Sequence, residues 1–486
     1  MEDMRPSLVR GSATMFIALA TAGVFALLIS MTVARSVSVE EFGIYSILVS
    51  VKTMAVTVAC FGIPTALAKI IAEVRMRNEQ EVLRFANTGL ILVLVFSALT
   101  CAFFVLLASP IGEGLYDEPL ITQLIPYSAL AVLSAALLGT AAGIAQGFQN
   151  VKLLAFVQVS APALSLLAIT ILLWVTDLRG VFIGYFAAQT TVVFVTLLLA
   201  SRMGFKFLSA GFGIRKSAEV RRILSLGTPV LISGVIVGPV YWLGSTYLAI
   251  ESGFESVGYF AIALTIFLAL VILPNSTVML LIPKVSELTV DNSELIKRLM
   301  AQTARTASVI LFPILFAVGV FAKYIVDILY GSSYSPAAHA VYLIAAAGYF
   351  FSVAATIGAM MMGMGRMWVA LGLNSLWAAV FLVLTFLMVG QWDDYGLAGA
   401  FASSYGIHLV MSFFVSKRVI GVDFRRAYLT SVVSTGFFAL GFLVVAKMPS
   451  MTLLGEILLF LAASASVLWI GRDTIGPIIE RLRTTM

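Results

Sequence analysis

The chain reads as an all-α polytopic membrane protein of about fourteen transmembrane helices. Three observations predict this class. Apolar residues fill 61% of the 486 positions, charged residues only 11%, and apolar stretches of membrane-crossing length recur from end to end. A water-soluble domain carries about a quarter charged residues, so this chain lacks the polar surface to coat itself in water. Lipid must solvate most of it.

A crossing needs about 20 apolar residues. On that ruler, segments fall near 12–34, 43–66, 85–108, 120–145, 153–175 and 180–201. A second group falls near 223–249, 257–282, 306–322, 337–362, 367–390 and 396–416, and two more near 427–446 and 453–471 close the chain. The first segment runs uncharged from Ser12 to Ala34, too long for a signal-peptide core. Val33-Ala34-Arg35 is also a poor cleavage site, so the segment reads as a retained helix. The longest connection, Arg202 to Arg222, is too short to fold alone.

Basic residues orient the segments. With the N-terminus inside and strict alternation, inner connections and tails hold 25 of the 30 Lys and Arg. Outside lie Arg35, Arg179, Lys323 and Lys447, and Lys52 sits within a segment. This asymmetry puts both termini in the cytoplasm, in a multi-pass protein of the cytoplasmic membrane. It also accounts for the net charge of +6 without a nucleic-acid partner. Outer loops are acidic (Glu40, Glu41, Asp117, Glu118, Asp393, Asp394), which reads as solvated loop charge.

The chain also repeats itself at an offset of about 216 residues. Gly11 matches Gly227, Phe42-Gly43-Ile44-Tyr45 matches Val257-Gly258-Tyr259-Phe260, and Tyr116 matches Tyr334. Gly147 matches Gly365, Asp177 matches Asp393, Gly180 matches Gly396, and Arg202 matches Arg418. Residues 1–210 thus form one six-helix lobe and 211–424 its pseudo-twofold copy. Residues 425–486 add two helices and a tail. Parallel repeats of this kind occur in transporters, with a cleft at mid-membrane that opens to alternate sides. Transport is the predicted function.

Several other classes drop out. Cys60 and Cys101 lie in apolar segments and offer neither a disulfide framework nor a metal-ligand spacing. No Gly-Lys-Ser/Thr occurs, so the chain carries no P-loop. His339 and His408, the two histidines, have no ligand-spaced neighbours, so no metal or other cofactor is expected; His408 is either a proton-sensitive group or a packed ring. Outer loops are too short, and their acidic pairs too isolated, for a glycan polymerase or ligase, so the chain is not read as an enzyme. No acidic residue is expected in a helix core, which disfavours cation-coupled antiport.

Short motifs add a resemblance that covers essentially the whole chain. Ala34-Arg35 followed by Glu41-Phe42-Gly43-Ile44-Tyr45 resembles the first outer loop of polysaccharide flippases, and Phe61-Gly62-Ile63-Pro64 with Lys69 resembles the end of their second helix. Gln146 to Asn150, Leu329 to Tyr334 and Gly363-Met364-Gly365-Arg366 are similar to their later loops. The family implied is the oligosaccharide flippases of the Wzx type, in the multidrug/oligosaccharidyl-lipid/polysaccharide (MOP) exporter superfamily. The resemblance implies a V-shaped fold like that of the multidrug exporters (MATE) and a polyprenyl- or dolichyl-pyrophosphate-linked glycan as cargo. It further implies membrane lipids and glycan assembly enzymes as partners, and a monomer. A multidrug or small-metabolite antiporter and a lipid-linked peptidoglycan precursor flippase are the alternatives.

Lys52 is the leading candidate for a substrate-binding residue. It lies nine residues beyond Gly43, roughly 14 Å along a helix axis and near the bilayer midplane. A lysine there costs about 2.5–3.5 kcal/mol unless it faces water or a partner. It is either a cavity cation that meets pyrophosphate or a lysine that snorkels or pairs with a polar group. Arg35 either receives cargo phosphate or anchors the first helix; Arg305 either lines the inner mouth or anchors its own helix. Gln158, Gln189, Asn275 and Asn374 either bond sugar hydroxyls or join helices to one another. Tyr241 and Trp242, between Pro229, Pro239 and Pro274, either stack on sugar rings or pack; the prolines make that segment a hinge or a static kink.

Overall fold

The computed structural model describes residues 5–75, 79–202, 217–272, 274, 293–447 and 452–474. Among these no strand occurs, and eleven helices are long and apolar enough to cross a membrane. The chain divides into two compact units, Met1–Ile250 and Glu251–Met486.

The first unit holds α1 (Arg5–Ser36), α2 (Val39–Cys60), α3 (Ile63–Val74), α4 (Glu79–Leu106), α5 (Pro119–Gly147), α6 (Val151–Arg202) and the start of α7 (Ser217–Leu270). α2 begins earlier than the sequence suggests. Ser38 caps it: the Ser38 hydroxyl accepts from the Glu41 amide at 3.1 Å, and the Ser38 amide donates to the Glu41 carboxylate at 2.9 Å. Glu41 is therefore a capping group rather than a free loop charge. α2 also ends earlier, at Cys60, because Phe61 and Gly62 both take left-handed backbone (φ 48° and 68°). The expected segment 43–66 is thus two helices, and Pro64 in the first turn of α3 suits a fresh helix start. Ala59, Leu67, Ile70, Val93, Ala136 and Ile144 make the core between α2, α3, α4 and α5.

Glycine is required where α3 meets α7. A Cβ on Gly62 would stand 2.3 Å from the carbonyl oxygen of Gly227. One Gly thus meets the other backbone to backbone, as small residues allow in membranes. The start of α7 is tied down further by Arg222 to Glu73 at 2.6 Å and by Thr88 donating to Glu219 at 3.3 Å. These contacts explain why α7 as far as Ile250 sorts with the first unit. They also correct the expectation of no buried acid: Glu219, 6% exposed, sits in the first turn of α7. α7 stays helical through Pro229 and Pro239, and its first non-helical residue is Gly253.

The second unit holds the rest of α7, α8 (Ser293–Val320), α9 (Ala322–Leu329), α10 (Ala338–Gly363), α11 (Met367–Ile420), α12 (Arg425–Lys447) and α13 (Leu453–Ile470). Its core is aromatic. Phe312 and Phe316 of α8 stack at 5.1 Å, Phe438 of α12 meets them edge-on at 5.5 and 5.4 Å, and the buried Tyr342 hydroxyl donates to the Phe438 carbonyl at 2.9 Å. The two C-terminal helices, α12 and α13, therefore pack on α8 as part of this core. The expected outer loop Lys323–Pro336 is itself structured, as α9 and a 3-10 turn over Ser332–Ala337.

Of the three helices longer than 50 residues, α6 and α11 break at matching places. In α6 the break is at Thr176 and Asp177, and in α11 at Asp393, 216 residues on. Asp177 (φ 53°, ψ −148°) and Asp393 (φ 49°, ψ −128°) share one strained conformation. Three residues later, a Cβ on Gly180 or Gly396 would stand 2.4 Å from the carbonyl oxygen of Leu172 or Met388. Since glycine reaches this backbone without steric cost, Asp393→Gly is expected to stabilise the protein by about 1 kcal/mol and Asp393→Val to destabilise it by a similar amount. Thermal unfolding in detergent reads both; an unchanged Asp393→Val would refute the strain.

Outward faces are apolar. Trp174, 85% exposed beside the α6 break, and Trp368 and Trp469 near helix ends mark the belt where indoles meet the interface. Hydroxyls in the spans, such as Thr53, Thr57 and Thr196, donate to the carbonyl one turn back and so need no water.

Candidate substrate-binding site

Lys52 lies 13 residues into α2, about 20 Å along a helix of about 33 Å, just past its midpoint. It is 9% exposed, so its ammonium does not face acyl chains. Instead its Nζ sits 4.1 Å from the centroid of the Tyr185 ring, within cation–π range. Among the described residues Lys52 makes no ion pair.

Helix periodicity builds the rest. Tyr45 precedes Lys52 by seven residues, on the same face of α2, and its hydroxyl lies 3.3 Å from that of Tyr185. Gln189 follows Tyr185 by four residues, on the same face of α6, and its amide oxygen accepts from the buried Ser134 hydroxyl of α5 at 2.9 Å. Three helices thus supply one cation, two phenols, an amide and a hydroxyl within a single unit. The arrangement can hold an anion: a ring quadrupole compensates the ammonium only in part, and phosphate oxygens would bind it more strongly.

The other sequence candidates disperse. Arg35 is exposed in the last turn of α1, and Gln158 is half-buried in the first part of α6. Trp242 is engaged rather than free: its indole N–H donates to the Tyr116 hydroxyl at 3.1 Å, and Tyr116 lies 2.7 Å from the Thr246 hydroxyl. Burial raises the Tyr116 pKa, keeping the phenol protonated. Tyr241 is half-buried beside it. Arg305 donates to the Ile470 carbonyl at 3.4 Å and lies 3.9 Å from Asp473, so α13 holds it. Asn374 is exposed on α11; Asn275 lies outside the described residues. His408 packs with its Nδ1 3.2 Å from the Leu373 carbonyl. Among the described residues no group of three or more His, Cys, Asp or Glu could hold a metal ion.

Sequence reasoning missed Tyr45, Tyr185 and Ser134. A polar pair four apart on one helix face, Tyr185 and Gln189, was the one signal available for them.

Solved structures with this fold include "Lipid II flippase MurJ, inward closed conformation", with a TM-score of 0.74 at 14% identity over 96% of this chain and 100% of that one. An inward-facing multidrug resistance MATE transporter of the MOP superfamily gives 0.70 at 13% identity over 82% and 94%. A MOP superfamily transporter from Pyrococcus furiosus gives 0.62 at 14% over 85% and 95%. A sequence search among curated proteins finds no match. The fold is that of the MOP transporters, and these solved structures are a flippase and transporters rather than enzymes. Over residues 8–289, more than half of its length, the chain matches the family described as "Polysaccharide biosynthesis protein", and it belongs to that family.

Proposed function

We propose that the protein flips a lipid-linked oligosaccharide across the cytoplasmic membrane by alternating access, with Lys52 meeting the pyrophosphate. The single observation that carries this reading is a mid-span ammonium balanced by the face of Tyr185 instead of a carboxylate. Such a group is expensive in a membrane unless it faces water or a partner, and a phosphate anion is the strongest partner open to it. Membership of the polysaccharide biosynthesis family supports a glycan as the cargo. Both termini face the cytoplasm on the positive-inside rule, and glycan assembly enzymes are the natural neighbours.

Likeness to the lipid II flippase favours a lipid-linked peptidoglycan precursor as the second reading, since it carries the same pyrophosphate chemistry. An antiporter of cationic drugs is the weaker one, because Lys52 would repel the substrate. The test is a reconstituted vesicle offered three cargoes: a fluorescent polyprenyl-pyrophosphate oligosaccharide, lipid II, and a cationic dye. Translocation of the first is expected; dye extrusion without glycan transfer would overturn the reading.

A further inference from the structure

The second unit holds a cationic pocket that the transport site does not use. Its walls come from α8, the start of α12 and the residues just past α13, and it encloses a cavity of about 380 Å³. Four guanidinium groups line it, Arg298, Arg305, Arg425 and Arg426, against two carboxylates, Asp423 and Asp473. The carboxylates do not neutralise them closely. Arg305 to Asp473 and Arg425 to Asp423 are both 3.9 Å apart, longer than a charge-assisted hydrogen bond. Asp423 is also occupied in accepting the Arg425 amide at 3.0 Å, capping α12.

Two polar groups in the wall are buried without a partner. Thr474 is 8% exposed, and among the described residues its hydroxyl makes no hydrogen bond; the Nε–H of Arg305, whose side chain is 14% exposed, makes none either. Buried donors are normally satisfied, so an unspent hydroxyl and guanidinium N–H in one cationic cavity call for an acceptor-rich guest. Planar guanidinium forks match phosphate oxygens in particular.

We propose that this pocket binds a phosphate group, with Arg305 and Thr474 as its inner donors and Arg298 and Arg426 as its outer cations. The group comes from an anionic phospholipid head at the basic face of the membrane or from free inorganic phosphate. Basic pockets between helices on that face are suited to lipid heads. The proposal is independent of the transported cargo, because Lys52 belongs to the other unit.

The test uses the full-length protein in nanodiscs and reads its thermal midpoint. One arm compares phosphatidylcholine with phosphatidylcholine plus phosphatidylglycerol; the other titrates inorganic phosphate into phosphatidylcholine discs. An upward shift in the first arm alone identifies a lipid head, and one in the second identifies free phosphate. Each supports the site. Arg298→Gln/Arg426→Gln removes outer charge, while Thr474→Val keeps every charge and removes only the inner hydroxyl. Both are expected to weaken the apparent affinity by roughly tenfold, measured from each variant's own baseline in phosphatidylcholine. No shift with either probe, or an undiminished one in Thr474→Val, overturns the proposal; the latter would indicate general surface attraction.

Discussion

Lys52→Met is expected to lower transport of a lipid-linked oligosaccharide on the order of 100-fold while leaving the protein as stable as before or more so. The two halves of this result have separate causes. On the proposed function transport would fall because the ammonium is the mid-span cation that meets pyrophosphate, and methionine keeps the stem without the charge. Stability holds because removing a buried lysine recovers about 2.5–3.5 kcal/mol of insertion cost, against about 2 kcal/mol of lost cation–π attraction to Tyr185. A residue kept only for structure would give the opposite sign, a destabilised protein that still transports. Tyr185→Phe retains the ring and should transport; Tyr185→Leu releases the ammonium and should not. Wild-type flipping by Lys52→Met in reconstituted vesicles would remove this residue from the site.

Gly62→Ala is expected to destabilise the first unit by about 2–5 kcal/mol. A left-handed backbone (φ 68°) penalises any Cβ by about 1–2 kcal/mol. Overpacking against the Gly227 carbonyl at 2.3 Å adds about 1–3 kcal/mol. Because the obstacle is backbone rather than a side-chain tip, α7 must shift bodily. Gly227→Ala should behave alike, its Cβ falling 2.4 Å from the Phe61 carbonyl oxygen. Gly139→Ala is the control, since its nearest neighbours, Cys60 and Pro64, stand 3.8 Å away. Thermal unfolding of the detergent-purified variants separates them. Equal midpoints for Gly62→Ala and Gly139→Ala would disprove the close approach.

Much of the fold was legible because lipid imposes a simple rule: a crossing is an apolar run of fixed length, and its flanks carry charge. The breaks at Asp177 and Asp393 fall between segments separated on that ruler, and the matched glycines three residues on already stood in register. Lys52 was legible for the same reason, as a charge where none is cheap. Glu219 was not, because it lies in a basic stretch that reads as connection, and only the Thr88 contact with α4 shows it buried. The end of α2 was missed because Phe61-Gly62 interrupts no apolar run; the helix stops at their left-handed backbone, which lies against Gly227, more than 160 residues away.

The amino-acid order by itself determined that this protein lives in lipid, which ends of its helices carry the basic charge, and that one lysine sits mid-span, since each follows from the local cost of moving a residue between water and hydrocarbon. Only tertiary structure decided what that lysine meets, that Trp242 and Arg305 are engaged within their own units, and where Arg298, Arg305, Arg426 and Thr474 converge. Those outcomes depend on which helix faces which, and packing between distant segments leaves no periodic trace along the chain.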